Sequence, residues 1–180
     1  MPSPVYDHTL AMKARDFAVR VHAGQQHGSM SLIGHLDETV RLLMKMKVES
    51  STIAAGYLHM VSLFGNQHDL DGLLVHFSTE ILTTVKACVL SASKSRAHAE
   101  SMASKIALNP ESARVILAAG LSLMSRPIDP RDTAQREAFC QDLPFIWFVL
   151  HGAHPMFADR LLDLTEVTLT VDSGRYALTI

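Results

Sequence analysis

The chain has 180 residues, a formal net charge of −2, and 48% hydrophobic against 19% charged residues. That length builds one domain with a substantial core, and the composition excludes global disorder. The near-neutral charge gives no electrostatic basis for binding nucleic acid or an anionic membrane, apolar runs such as residues 143–150 are too short to span a bilayer, and the start Met1-Pro2-Ser3-Pro4 lacks the pattern of a signal peptide.

Helical periodicity dominates the chain from residue 10 onward. Leu10, Ala14, Phe17, Ala18, Val21 and His22 fall on one face at three- and four-residue spacing. Residues 24–34, with Gly24, Gly28 and Gly34, read as a loop. Residues 35–47 resume as an amphipathic helix with Leu36, Val40, Leu43 and Met44 inward. Ser50 or Ser51 caps a helix through Ile53, Ala54, Tyr57, Leu58 and Val61, which Gly65-Asn66 ends. Asp69 starts a short helix, residues 78–91 form a longer one, and the more polar residues 94–108 read as a surface helix. Asn109-Pro110-Glu111 is a strong helix opening, with Asn as cap and Pro in the first turn. The helix it opens, through Val115, Ile116, Ala119, Leu121 and Met124, is almost uniformly apolar and is expected at the centre. Arg126-Pro127 stops it, and the last helices cover residues 131–150 and 155–166. The end alternates about a turn at Asp172-Ser173-Gly174-Arg175, which reads as a β-hairpin. The expectation is an all-α bundle of about eight to nine helices in a single domain over residues 1–180, with residues 168–180 as a hairpin extension.

Ten histidines invite a metal hypothesis, although most histidines in folded proteins ligate nothing. His35 and His59 stand out because they lie on consecutive helices, which pack as neighbours and bring the two imidazoles together. A hydrolytic metal site also needs carboxylates to balance the ion and an open position for water. Met60, Val61, Ser62, Leu63 and Phe64, which come directly after His59, supply none. Hydrogen bonds to backbone or to each other are the simpler role for the two histidines. His22 reads as a helix-end residue, the nine methionines as core filler, and Trp147 as packing. Cys88 and Cys140 form no disulfide framework and read as buried thiols in a reducing cytoplasm. Lys94-Ser95-Arg96 and Arg126 are either solvated helix ends or contacts for an anionic ligand.

Phe17-Ala18-x-x-x-His22-Ala23-Gly24-Gln25, then His35, then Ile53-Ala54-Ala55-Gly56-Tyr57-Leu58-His59, resembles the hydrolase domain of RelA/SpoT proteins, most of all the stand-alone small alarmone hydrolases of the HD superfamily. Asn109-Pro110 leading to Leu117-Ala118-Ala119-Gly120-Leu121-Ser122-Leu123 is similar to the family's Ser-Pro helix with its Leu-Ala-Asp core. Residues 145–155 and the leucine-rich segment after them are similar to its closing helices. About residues 10–166 are covered. The resemblance implies an HD-domain helical bundle and, in the family, hydrolysis of the 3′-pyrophosphate of (p)ppGpp with bound manganese.

Carried over position by position, the first two metal ligands fall on His35 and His59. The ligand Asp of the His-Asp pair is Met60 here, and the late ligand Asp is Ala119. The Glu-Asp pair implicated in activating water falls on Leu63 and Phe64, the late Asn on Leu123, and the basic phosphate loop on Gln26-His27-Gly28. Each lost carboxylate removes both a metal–oxygen bond and a charge that offsets the cation. The expectation is therefore a pseudo-hydrolase with a remnant pair His35 and His59, no catalytic residues, no cofactor of its own, and these positions repacked as core. Such a protein acts through a nucleotide or small-molecule ligand, a protein partner, or a second copy paired along the hairpin edge. The competing expectation is a divergent metal-dependent phosphohydrolase rebuilt from His22, His27, His68, Asp69 and Asp71.

Overall fold

The structure is a computed structural model that describes residues 7–88, 96–165, 168–172 and 175–179. Its first helix, α1 (His8–Val21), is capped by Asp7, whose side chain accepts from Leu10 N, and its apolar face buries Ala11, Ala14, Phe17 and Ala18. A two-rung hairpin comes next, β1 (Gln26–His27) against β2 (Met30–Ser31), turning through Gly28 at φ +66°. Ser31 then caps α2 (Leu32–Lys45) by accepting from Gly34 N.

The stretch expected as a loop thus contains a hairpin and the first turn of α2, and His35 is the fourth residue of that helix, not its start. The serine cap at Ser31 is what moves the boundary. The next helix also differs: α3 (Ser50–Leu58) begins after Glu49 and stops at His59, and α4 (Val61–Phe64) is a separate turn. Ser50 is the first helical residue rather than a cap; its Oγ accepts from Asp7 N.

Asn66 and Asp69 form a reciprocal capping box that opens α5 (Gln67–His76), two residues before the expected start. Ser78 caps α6 (Thr79–Ala87), and α7 (Arg96–Ala107) comes after it; Lys94 and Ser95, candidate anion contacts from sequence, lie outside the described residues. Asn109 and Pro110 open α8 (Pro110–Met124) as expected. A 3₁₀ turn (Pro130–Asp132) leads into α9 (Thr133–Ala153) and then α10 (Pro155–Asp163). The terminal hairpin pairs β3 (Thr168–Asp172) with β4 (Arg175–Thr179), from Thr168 opposite Thr179 to Asp172 opposite Arg175; its expected turn residues Ser173 and Gly174 lie outside the described residues.

α8 is the hub. It packs against α2, α3, α6, α7, α9 and α10, and its Val115, Leu117, Ala118 and Leu121 are fully buried. Gly56 on α3 lets α2 approach: a Cβ there would stand 2.5 Å from Leu43 Cδ1. Gly120 does the same on α8, where a Cβ would stand 2.4 Å from the Phe139 ring of α9. These two close approaches, α2 on α3 and α9 on α8, frame the space between the histidines.

Candidate functional site

α2, α3 and the β1–β2 turn bring three imidazoles together. His27 stacks on His35 with ring centroids 4.3 Å apart, and His35 meets His59 edge to face at 5.9 Å. The expected meeting of His35 and His59 is present, and His27, one of the positions where the family's basic phosphate loop is replaced, is its third member. All three are at most 9% exposed.

Arg126, just past the end of α8, decides the state of these rings. Its Nη2 donates to His35 Nδ1 at 2.9 Å and approaches His27 Nδ1 at 3.4 Å, while Nη1 donates to His27 O at 2.9 Å. Nε donates to Ser122 O, covering a carbonyl at the helix C-terminus, where the dipole favours a cation. The counter-charge is Asp132, fully buried, whose Oδ1 lies 3.1 Å from Arg126 Nη1 and accepts from Ser29 N at 2.9 Å. Arg126 is neither solvated nor available to an anionic ligand, the two roles open to it from sequence; it is 8% exposed and its guanidinium is spent on the protein. An unpaired buried charge is expensive, so Asp132 is what allows Arg126 inside.

A guanidinium can only donate, so His35 Nδ1 must accept and the ring carries its hydrogen on Nε2. His59 is in the opposite tautomer: its Nδ1 donates to Gly56 O at 2.8 Å, leaving an Nε2 lone pair with no partner. Burial first, and then the repulsion that a charged ring would meet from His27, His59 and Arg126, pushes His35 well below the ordinary imidazole value. His59 is lowered to about 4 by burial, against its bond to Gly56, and His27 to about 4 by burial and then Arg126. All three rings are neutral at pH 7. For Asp132, burial raises the carboxyl, but the bonds from Ser29 and Arg126 outweigh it and hold it below the usual range.

The three rings line a cavity of about 190 Å³. Met60, Leu63, Ile116, Ala119, Leu123 and Phe139 make it largely apolar, with Gln135 and Asp142 as further polar lining. The positions expected to be repacked as core are so only in part. Met60 and Leu123 are buried, Ala119 is half-buried, and Leu63 and Phe64 are 45% and 42% exposed. Leu63 stands at the mouth, and Phe64 lies outside, edge-on to His22 at 6.5 Å. Apolar residues at these positions leave a hollow rather than filling one.

Manganese does not fit this donor set. Nδ1 of His35 is occupied by Arg126 and its Nε2 carries hydrogen, so neither nitrogen offers a lone pair. A second cation would also face the fixed charge of Arg126 in a poorly solvated interior. Among the described residues, no three His, Cys, Asp or Glu side chains are grouped to hold a metal ion.

The rebuilt-site residues are scattered. His22 binds Gln25 Oε1 through Nδ1, His27 is in the central stack, and His68, Asp69 and Asp71 line a separate surface groove between α1 and α5. Asp69 is spent on the capping box and Asp71 accepts from Gln67. Cys88 is buried with its thiol pushed up by desolvation, which leaves it unreactive. Trp147 is buried packing, as expected. Missed from sequence were the charge pair Arg126–Asp132 and the lining residues Gln135 and Asp142. Asp129 caps the 3₁₀ turn by accepting from Arg131 N, and this turn carries Asp132 back beside the end of α8.

The fold is a helical bundle closed by a short antiparallel hairpin, and the cleft beside its three imidazoles is largely apolar. Eleven chains of solved structures match the fold. One is a metazoan ortholog of SpoT, which hydrolyzes ppGpp and plays a role in starvation responses; it superposes with a TM-score of 0.70 over 89% of this chain and 96% of its own, at 13% identity. No family model and no curated protein matches the sequence. No described helix is long and apolar enough to cross a membrane.

Proposed function

We propose that this chain is a non-catalytic relative of (p)ppGpp 3′-pyrophosphohydrolases, a cytoplasmic pseudo-hydrolase in which the cleft binds a ligand without turning it over. The observation that carries this is the hydrogen bond from Arg126 to His35 Nδ1. It places a fixed cation against the ring that a metal would need, and it sets the tautomer that cannot ligate. The apolar residues at Met60, Leu63 and Ala119 support the same reading, because water attacking a phosphoryl group needs a polarising ion or base beside it and these side chains supply neither.

The test is an assay of purified protein with (p)ppGpp and manganese. We expect pyrophosphate release no greater than in a protein-free control. Metal-dependent release that disappears in a His35→Ala/His59→Ala variant would overturn the proposal.

A further inference from the structure

The cavity has a chemistry of its own, distinct from that of a nucleotide site. Among the described residues its lining contains no Lys or Arg to receive an anion. Its volume, about 190 Å³, is slightly larger than the roughly 150 Å³ of a dry apolar cavity that takes up benzene. A nucleotide would carry several negative charges into a lining that has no Lys or Arg to offset them. The polar groups that remain ask for something specific. His59, 4% exposed, has an Nε2 lone pair without a partner, and Gln135 Oε1 is a second buried acceptor without a donor. His35, edge-on to His59, carries its hydrogen on Nε2 and so is a donor. A buried acceptor left unpaired carries the full cost of its lost hydration, and a ligand hydroxyl removes that cost.

We propose that the cavity between His35, His59 and Ala119 binds a small, uncharged, mainly apolar molecule of one-ring size whose hydroxyl donates to His59 Nε2. This rests on the reading of the cleft as a non-catalytic binding site. The hydroxyl oxygen accepts from His35 Nε2–H, and the ring lies against Ile116, Leu123 and Phe139. Entry is past Leu63.

Phenol is the probe, with anisole as its methyl ether, toluene as the apolar reference and phenyl phosphate as the charged one. Titration calorimetry and thermal unfolding of the full chain should show saturable phenol binding that raises the midpoint. Phenol should bind about tenfold tighter than anisole, the worth of one buried hydrogen bond, and phenyl phosphate should not bind. His59→Leu should abolish the preference for phenol while toluene still binds, and Ala119→Leu should weaken both by filling the space. Equal affinity for phenol and anisole, tighter binding of phenyl phosphate, or no phenol binding would each overturn the proposal. The phenol–anisole comparison on the unaltered protein decides the matter even if His59→Leu does not fold. The two readings fail separately: absence of phenol binding with no (p)ppGpp turnover removes only the ligand class, whereas metal-dependent turnover removes the non-catalytic reading.

Discussion

Gly28 has φ +66°, and a Cβ there would fall 1.9 Å from Asp132 Oδ1. No side chain fits, for two independent reasons: the left-handed backbone and the carboxylate that must receive Ser29 N and Arg126. Gly28→Ala is therefore expected to cost about 3–5 kcal/mol, the scale of breaking a buried ion pair, with urea unfolding as the measurement. Asp132→Ala should cost about as much, because it leaves the Arg126 guanidinium buried without its counter-charge. An Arg126→Met/Asp132→Leu double variant should recover much of that loss, since a matched apolar pair removes both charges together. A double variant no more stable than Asp132→Ala would show that the cost lies in lost packing and not in the unpaired charge.

Helix contacts translate these residues into a site. Gly56 leaves α3 without a side chain where it packs on α2, and Leu43 Cδ1 is the atom a Cβ would meet first. Gly56→Ala gains up to about 1 kcal/mol of helix propensity but wedges the pair apart at a packed contact, so a net loss of about 1–2 kcal/mol in denaturant unfolding is expected. A stabilised variant would mean that the Leu43 tip moves aside freely. At this scale the sequence was a good guide wherever a cap and an apolar period coincided, as at Asn109-Pro110 and throughout α8. It misled where a polar side chain acts on backbone a few residues away. Ser31 starts α2 inside a glycine-rich stretch, and Asn66 pairs with Asp69 to start α5 early. Periodicity could not mark the break at His59 and Met60, because both are buried and continue the apolar face.

Across the whole molecule, residues 35 and 59 were legible because helices adjacent in sequence pack together, whereas the Arg126–Asp132 pair was not, because its contacts to His27, Ser29 and His35 span about a hundred residues. That pair and the three imidazoles make one buried electrostatic unit with a definite response to acid. His27 and His59 titrate near pH 4 in the fold and near 6.5 in the unfolded chain, and His35 is also lowered, all mainly through burial. Between those values the unfolded chain takes up protons that the folded one refuses, so stability is full above about pH 6.5 and falls as the pH drops towards 4. A group displaced from 6.5 to about 4 contributes about 3 kcal/mol at neutral pH, and the rings share the loss because each proton raises the cost of the next beside Arg126. Urea unfolding at pH 7.5, 5.5 and 4.5 should therefore show midpoints falling steeply below about pH 6, before ordinary carboxylates titrate. His59→Gln should flatten the profile without removing it, because His27 and His35 still refuse protons. A profile that is level from pH 7 to 4.5 would mean that the rings reach solvent, and the neutral stack on which the binding site depends would not exist.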